Sequence, residues 1–249
     1  MKQKQETPDP QYNWIPGADP AGEDEINAFF NSPEIEKLKA LMCDIGKRMW
    51  QRGFVDGNGG NLSIRVGDNI VLCTPTLISK GFMKPEDMCF VDMEGRQLAG
   101  NRKSTSEILT HIGIMREQPN AKACCHAHPP VATGFAAAGV APGRFLTPES
   151  ELFVGEIGLA EFRMPGSPEC DAAVSPLAVE HTAIFMRNHG VITRGKHLEM
   201  AYWRMEIVES VCNNYLVARS LKGGESIPRI CGEYATMISE KGKRLSELM

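Results

Sequence analysis

Three features that mark other classes of protein are missing from this 249-residue sequence. No apolar run reaches the roughly 18 residues that a membrane-spanning helix needs. No block of basic residues stands out and the formal net charge is −4, so nucleic acids and anionic membranes are poor candidate partners. Residues 1–14 lack the apolar core of a secretion signal. These absences predict a cytoplasmic protein that works without a membrane or a nucleic acid.

The eight cysteines include no C-x-x-C pair, so the clustered thiolates of a cysteine-based zinc site are missing as well. In a chain without a secretion signal, isolated cysteines are usually reduced. We therefore expect mostly buried thiols rather than a disulfide framework.

Hydrophobic residues make up 42% of the chain, which is enough for a sizeable core. Residues 1–32 are rich in proline, glycine and acidic side chains without periodicity, and we interpret them as an N-terminal arm that could clasp another subunit. Residues 33–249 form the main domain. Predicted helices and strands are intermixed there, which indicates an α/β domain with helices covering a sheet.

Apolar spacing, capping residues and turn residues predict the main elements of this domain. In chain order these are a helix over residues 32–53, a hairpin from NLSIRV and NIVLCT, a strand and turn in MCFVDMEGRQLAG, a helix in STSEILTHIGIMREQ, a buried strand in AKACCHAH, a short helix in PVATGFAAAG, two strands in TAIFMRNHGVITRG, and a long helix in KHLEMAYWRMEIVESVCNNYLVARSL.

The stretch CCHAHPP, residues 124–130, places two histidines one residue apart. Side chains at i and i+2 of a strand point to the same side, so His126 and His128 project together. Neutral imidazoles suit Zn²⁺, which prefers four tetrahedral ligands. We select His189 as the third nitrogen ligand because RNHGV places it at a tight turn between two strands. Glu107, at a helix start, is the best-placed carboxylate to complete the site. The other histidines considered are His111, His181 and His197.

Six short motifs occur in a fixed order between about residues 36 and 220. They are GNGGNLSIR at 57–65, TPT at 74–76, STSE at 104–107, HAH at 126–128, PGS at 165–167 and NHG at 188–190. Each is weak alone, but the ordered set resembles the class II aldolase/adducin family. This family includes L-fuculose-1-phosphate aldolase, L-rhamnulose-1-phosphate aldolase and L-ribulose-5-phosphate 4-epimerase.

The resemblance implies a three-layer α/β/α domain with a largely antiparallel central sheet. It also implies homotetramers whose active sites lie at subunit borders. His126, His128 and His189 would ligate Zn²⁺ or another divalent metal. Glu107 would both ligate the resting metal and act as the acid/base.

The implied activity is that of a metal-dependent aldehyde-lyase of carbohydrate metabolism. Such an enzyme cleaves a sugar phosphate or a similar hydroxy-carbonyl substrate through a metal-stabilised enediolate. A 4-epimerase or a β-keto acid decarboxylase would use the same site. An adducin-like non-catalytic module is the alternative outside the enzymes, and the retained histidines and glutamate argue against it.

A pocket for the substrate's anionic group is expected from three of the motifs. Glycines let backbone N–H groups approach an anion, and a helix start favours negative charge. The threonine of TPT matches a further contact of the family. The residues concerned are Asn58, Gly59, Gly60, Asn61, Thr76, Thr105 and Ser106.

The chain departs from the aldolase pattern in two places. Leu77 stands where the aldolases usually have glycine, and Lys80 nearby either compensates or is an ordinary solvated lysine. The fuculose aldolases also carry a tyrosine upstream of the segment matching GEIGLAEFRMPGS, whereas this chain reads TPESELFVG there. Glu149 is our candidate for the second proton transfer, with Glu151 as the alternative.

Overall fold

The computed structural model describes residues 12–248, which form eight α-helices and one eight-stranded sheet. No helix in this span is long and apolar enough to cross a bilayer. The helices are α1 (Glu23–Phe30), α2 (Pro33–Gln51), α3 (Ile108–Glu117), α4 (Pro130–Ala138), α5 (Pro148–Phe153), α6 (Pro168–Val174), α7 (Leu198–Leu221) and α8 (Gly232–Leu248). The strands are β1 (Asn61–Arg65), β2 (Val71–Cys73), β3 (Cys89–Val91), β4 (Gln97–Ala99), β5 (Ala123–Ala127), β6 (Gly158–Ala160), β7 (Ala183–Met186) and β8 (Gly190–Gly195).

The sheet has the strand order β4-β3-β2-β1-β5-β8-β7-β6. Every neighbouring pair is antiparallel except β6 and β7, which are parallel. In the centre, β5 pairs with β1 and β8, so that Asn61 and Ile192 lie opposite His126 on either side. The register therefore fixes His126 beside a polar neighbour on β1.

Helices cover both faces of the sheet. Along β5, Ala123, Cys125 and Ala127 pack into one core with residues of α2, α4 and α7. Cys124 points the other way, into a second core with residues of α3 and α6. This alternation is the period-2 pattern of a strand buried on both faces. The expected α/β/α fold with a largely antiparallel sheet is confirmed.

The predicted elements of the main domain are confirmed, and their ends follow from local chemistry. Helix α2 begins after Ser32, whose hydroxyl accepts a hydrogen bond from the Ile35 N–H. Helix α4 ends at Gly139, which adopts a left-handed conformation. Helices α1, α5, α6 and α8 and strands β4 and β6 were not predicted. Six of the eight cysteines are buried, as expected.

Part of the expected N-terminal arm packs against its own domain, while residues 1–11 lie outside the described span. The indole N–H of Trp14 donates to the Asp68 carboxylate at 2.8 Å. The Asp19 carboxylate accepts from the N–H groups of Asp68 and Asn69. These contacts attach the arm to the β1–β2 turn. A clasping role and a domain boundary at residue 32 stay predictions.

Candidate metal centre

His126 occupies the centre of the candidate site, near the end of β5. Its side chain is 1% exposed, and its Nδ1–H donates to the Val191 carbonyl at 2.9 Å. That bond fixes the tautomer and leaves the Nε2 lone pair available to a metal. Burial lowers the pKa of His126 to about 3, so the ring is neutral at pH 7.

His128 follows β5 directly and is fixed by two contacts. Its backbone N–H donates to the Phe54 carbonyl, and its Nδ1–H donates to Asp56 Oδ1 at 3.0 Å. The hydrogen bond to His128 lowers the pKa of Asp56. The Nε2 atoms of His128 and His126 lie 3.2 Å apart, so the two rings converge as the i, i+2 spacing predicts.

His189 lies in the turn between β7 and β8. Asn188 adopts a left-handed conformation there, with φ of 54°, and the His189 N–H donates to the Met186 carbonyl. Burial and then the neighbouring His126 lower the pKa of His189 to about 4. Its Nδ1 is buried without a hydrogen-bond partner among the described residues.

Glu107 stands at the N-cap position of α3 and faces these histidines. Its Oε2 lies 3.5 Å from Nε2 of His126 and 3.6 Å from Nε2 of His189. Its Oε1 accepts a hydrogen bond from Asn61 Nδ2 at 3.1 Å. One carboxylate oxygen is therefore held by β1 while the other points to the histidine nitrogens.

A second polar contact joins α3 to β1 one step further along. Ser63 follows Asn61 by two residues on the strand, and His111 follows Glu107 by one turn of the helix. The Ser63 hydroxyl and His111 Nδ1 lie 2.7 Å apart in the buried interior. Two residues along a strand and four along a helix each return to the same face. The Asn61–Glu107 and Ser63–His111 contacts therefore lie side by side and hold the start of α3 against β1.

The residues present fit a zinc ion. Among the described residues, His126, His128 and His189 form a metal-binding group whose ligand atoms all lie within 4.8 Å of one another. Ligands about 2.0–2.1 Å from a tetrahedral zinc ion are about 3.3 Å apart. The observed separations, 3.2 Å between Nε2 atoms and 3.5 and 3.6 Å to Glu107 Oε2, are close to that spacing. Three imidazoles and a carboxylate are also a donor set that zinc accepts.

The glycine-rich turn lies against the ligands. A Cβ on Gly60, whose φ is 72°, would come within 2.9 Å of the His126 carbonyl. A Cβ on Gly59 would meet Asp56 Oδ1 at 2.6 Å and His128 Nδ1 at 3.0 Å. The Gly59 N–H donates to the Asp56 carbonyl, so this backbone donor is already used. Glycine is needed here for close approach to the histidines.

The other expected anion-binding segments are joined to one another by backbone hydrogen bonds. The Thr76 N–H donates to the Lys103 carbonyl, and the Thr105 N–H donates to the Thr74 carbonyl. The PGS turn lies beside them, since a Cβ on Gly166 would come within 2.5 Å of the Ser106 carbonyl. The segments therefore lie next to the start of α3, where Glu107 stands.

Leu77 and Lys80, which follow the TPT motif, differ in their surroundings. Leu77 is 79% exposed and adopts a left-handed conformation with φ of 56°. Lys80 is 1% exposed, so its interpretation as a solvated loop lysine is wrong. The Lys80 ammonium donates to the carbonyls of Asn58 at 2.9 Å and Ile78 at 2.7 Å.

The two candidate acids of TPESELFVG lie in the first turn of α5 and differ in their surroundings. Glu151 is buried, forms an ion pair with Arg144 and accepts from the Phe145 N–H. Glu149 is exposed and has no hydrogen bond or ion pair within the described part of the chain.

The remaining histidines use their rings elsewhere. His111 contacts Ser63, His181 donates to the Glu156 carbonyl, and His197 caps α7 by accepting from the Met200 N–H. Sequence reasoning missed Asp56, which orients His128, and left the role of Lys80 open. An acidic residue just before a glycine-rich turn was the available signal for Asp56.

Residues 40–216 match the family model described as class II aldolase and adducin N-terminal domain. The chain belongs to this family. The predicted membership is confirmed, and the match covers the glycine-rich turn, Glu107 and all three clustered histidines of this class II aldolase-family chain.

Two curated relatives carry different activities in their names. The chain is 34% identical over 178 residues to an L-fuculose phosphate aldolase of Methanococcus maripaludis, covering 72% of this chain and 96% of the relative. It is 31% identical over 188 residues to a 3-oxo-tetronate 4-phosphate decarboxylase of Haemophilus influenzae, covering 74% and 89%.

Solved structures show the same fold. The Escherichia coli protein YgbL, described as a putative aldolase/epimerase/decarboxylase, superposes with a TM-score of 0.74 at 25% identity, covering 82% of this chain and 98% of that one. An L-fuculose 1-phosphate aldolase superposes with a TM-score of 0.75 at 23% identity, covering 83% and 96%.

Proposed function

We propose that this protein is a zinc-dependent aldehyde-lyase that cleaves a sugar phosphate or a similar hydroxy-carbonyl substrate. The observation that carries the proposal is the convergence of three imidazoles and the Glu107 carboxylate. The Nε2 atoms of His126 and His128 lie 3.2 Å apart, and Glu107 Oε2 lies 3.5 and 3.6 Å from Nε2 of His126 and His189. The similarity to a named L-fuculose phosphate aldolase over 178 residues supports the same substrate class.

His126, His128 and His189 would hold the cation. When bound there, a divalent cation supplies Lewis acidity that stabilises the negative charge left when a C–C bond next to a carbonyl breaks. The Val191 carbonyl and Asp56 orient two of the rings. Such contacts raise the basicity of a ligating imidazole.

Glu107 would carry a proton to or from the substrate carbon on which charge develops. Its Oε1 is held by Asn61, so Oε2 has a fixed position beside the histidine nitrogens. A carboxylate within hydrogen-bond reach of the reacting atoms is a common general acid or base. This oxygen is placed for that transfer.

A decarboxylase acting on a β-keto acid phosphate is the second candidate. It is favoured by the 31% identity to a 3-oxo-tetronate 4-phosphate decarboxylase. It is also favoured by the lack of tyrosine in TPESELFVG, because loss of CO₂ from a carboxylate needs no second group to accept the hydroxyl proton that is released when an aldehyde departs. A 4-epimerase on the same site remains the third outcome of the test below.

The proposal includes a homotetramer in which Glu149 serves a neighbouring subunit's site as the second proton carrier. Two observations favour Glu149 over Glu151. Glu149 is exposed at the start of α5, whereas Glu151 is committed to its buried contacts with Arg144 and Phe145.

The test is a substrate screen with the zinc-reconstituted protein. Sugar phosphates and β-keto acid phosphates are supplied, and release of aldehyde, formation of an epimer and release of CO₂ are measured in parallel. Chelator-treated protein and the Glu107→Gln variant are the controls.

The proposal predicts metal-dependent aldehyde release from at least one sugar phosphate. Metal-dependent CO₂ release without aldehyde would replace it with the decarboxylase. Turnover that persists equally in chelator-treated protein would reject both functions, because each depends on the same cation.

A further inference from the structure

Lys80 is a buried cation beside the candidate metal centre that the proposed reaction does not use. Burial lowers its pKa to about 8, while the negative charge of Glu107 acts in the opposite direction. The positive charge of Lys80 also contributes to the lowered pKa of His126. The ammonium hydrogen-bonds to Asn58 in the glycine-rich turn, and Gly59 of that turn lies against His128, so Lys80 is next to the candidate site.

The base of this side chain is held by close packing. Residues Lys80–Phe82 form a short 3₁₀ turn that packs against α2. A Cβ on Gly46 of α2 would lie 2.5 Å from the Lys80 carbonyl, and a Cβ on Gly81 would meet the Trp50 ring at 2.6 Å. Such contacts leave little room for the backbone to shift, so the ammonium extends from a fixed point.

The ammonium connects two of the segments expected to bind an anion. It donates to the Asn58 carbonyl in the glycine-rich turn and to the Ile78 carbonyl in the loop that follows Thr76. The Asn58 side chain is exposed, so the contact fixes the backbone and leaves the amide available to a ligand. Hydrogen bonds from a charged donor are stronger than neutral ones.

The positive charge of Lys80 also affects how an anionic substrate group would bind. Glu107 and Asp56 each place a carboxylate against the histidine cluster. Both carboxylates repel an anionic substrate group, so a positive charge in addition to that of a bound divalent cation would favour its binding. Lys80 supplies such a charge in a low-dielectric setting, where its effect is larger than in water.

We propose that Lys80 is a positioning residue for the substrate's anionic group, because its ammonium fixes the Asn58 turn and places positive charge next to the candidate metal centre. This inference rests on the proposed function insofar as the substrate carries a phosphate or carboxylate. It assigns no proton transfer to Lys80 and no contact with the metal.

The experiment measures the binding of inorganic phosphate to the full-length, zinc-loaded protein by calorimetry. Lys80→Met removes the charge and keeps an apolar stem. Lys80→Gln removes the charge but retains an N–H donor, and it takes the place of the methionine variant should that variant fail to fold. Lys80→Arg restores the charge. Lys39→Met is the matched control, since Lys39 is also 1% exposed but pairs with Glu36 and lies over the Phe30 ring.

The neutral variants should bind phosphate ~10-fold more weakly or worse. Lys80→Arg should recover most of the affinity, and Lys39→Met should match the unaltered protein. Amide hydrogen exchange at residues 57–61 should accelerate in Lys80→Met, while zinc content stays constant. A structural role alone would not give rescue by arginine together with unchanged zinc.

Equal phosphate affinity in the folded neutral variants and the unaltered protein would overturn the inference. Absence of phosphate binding to the unaltered protein would overturn it as well. The proposed lyase activity is judged separately, by metal content and product release. A protein that releases aldehyde but binds phosphate independently of Lys80 would therefore reject this inference alone.

Discussion

The two oxygens of Glu107 have different environments, and this difference underlies its proposed role. Oε1 accepts from the Asn61 amide, while Oε2 lies 3.5 and 3.6 Å from two histidine nitrogens. Only an oxygen facing the cluster can ligate a cation or exchange a proton with a substrate held there. The Asn61 contact fixes which oxygen that is.

Replacing Glu107 by glutamine tests the proton-transfer role. The amide side chain would keep an oxygen for Asn61 but could not carry a proton, so we expect kcat to fall by ~10²-fold or more with the fold intact. Thermal unfolding and zinc content are measured alongside kcat. Glu86→Gln, at an exposed acid, is the control and should be active. Normal turnover in Glu107→Gln at full metal content would exclude Glu107 as the proton carrier.

Leu77 is a residue whose backbone conformation conflicts with its side chain. A non-glycine residue in the left-handed region is destabilised by roughly 1–2 kcal/mol. Because Leu77 is 79% exposed, little burial offsets that cost. We expect Leu77→Gly to have a higher free energy of unfolding than Leu77→Ala by about 1 kcal/mol, since alanine retains the Cβ. Equal stability of the two variants in urea would show that the strain is absent.

Residue-level prediction succeeded where spacing along one element determines geometry. The separation of His126 and His128 in a strand was sufficient to predict that their rings converge. Asp56 and the buried state of Lys80 could not be predicted in this way. Both depend on contacts between loops that are distant in sequence, such as Lys80 with Asn58.

At the scale of elements, the histidine cluster forms where the end of β5 meets the turn between β7 and β8. The end of β5 contributes two histidines, and the turn from β7 to β8 contributes His189. Pairing of β5 with β8 sets Ala127 opposite Val191, so the turn lies next to the end of β5. Gly190, the first residue of β8, lies between this turn and the end of β5. A Cβ on Gly190 would come within 2.6 Å of both the Ala127 carbonyl and His128 Cδ2.

Substituting Gly190 by alanine should therefore disturb the cluster through packing alone. We expect the added methyl group to displace the His128 ring and to weaken zinc binding by ~10-fold or more, as changes around metal ligands commonly do. Competition with a chromogenic chelator gives the affinity. Gly134→Ala is the matched control, because nothing lies within 4 Å of a Cβ at that position in α4. Unchanged zinc affinity in Gly190→Ala would show that the close contact between Gly190 and His128 does not position the His128 ring.

Elements with a strong hydrophobic period were mostly predicted from the sequence, whereas most short or polar elements were not. Helix α2 repeats apolar residues over 19 residues, whereas α5 has only 6 residues and β6 only 3. Helix α8 is an exception, because it is long and has apolar residues at helical spacing, among them Tyr234, Met237 and Ile238, yet it was missed. Its packing against α5 depends on tertiary contacts, among them Gly242 against the Glu151 and Leu152 backbone.

At the scale of the whole molecule, the question is whether one chain completes the reaction site. The described contacts bring Glu107 to the histidines, while exposed Glu149 has no partner within the described part of its own chain. An assembly in which α5 of one subunit approaches the cluster of another would supply the second carboxylate.

Mixing two inactive variants tests this shared site. Glu149→Ala should have a lowered kcat but normal zinc content, and His126→Ala should lack zinc. Hybrid oligomers should regain activity, because some sites would combine an intact histidine cluster with an intact Glu149 from the other chain. Glu151→Ala is unsuitable as a partner, since loss of its buried pair with Arg144 would affect folding. Full activity in Glu149→Ala, or verified hybrids without recovery, would reject the shared site.

The central claim is that His126, His128 and His189 hold a catalytic divalent cation. Elemental analysis after dialysis tests it most directly, using the unaltered protein, His126→Ala and His181→Ala, a control at a histidine that bonds to Glu156 instead. We predict about one zinc or similar ion per chain in the unaltered protein and in His181→Ala, with most of it lost from His126→Ala. Equal metal content in all three proteins, or no metal in the unaltered protein after zinc reconstitution, would contradict the account.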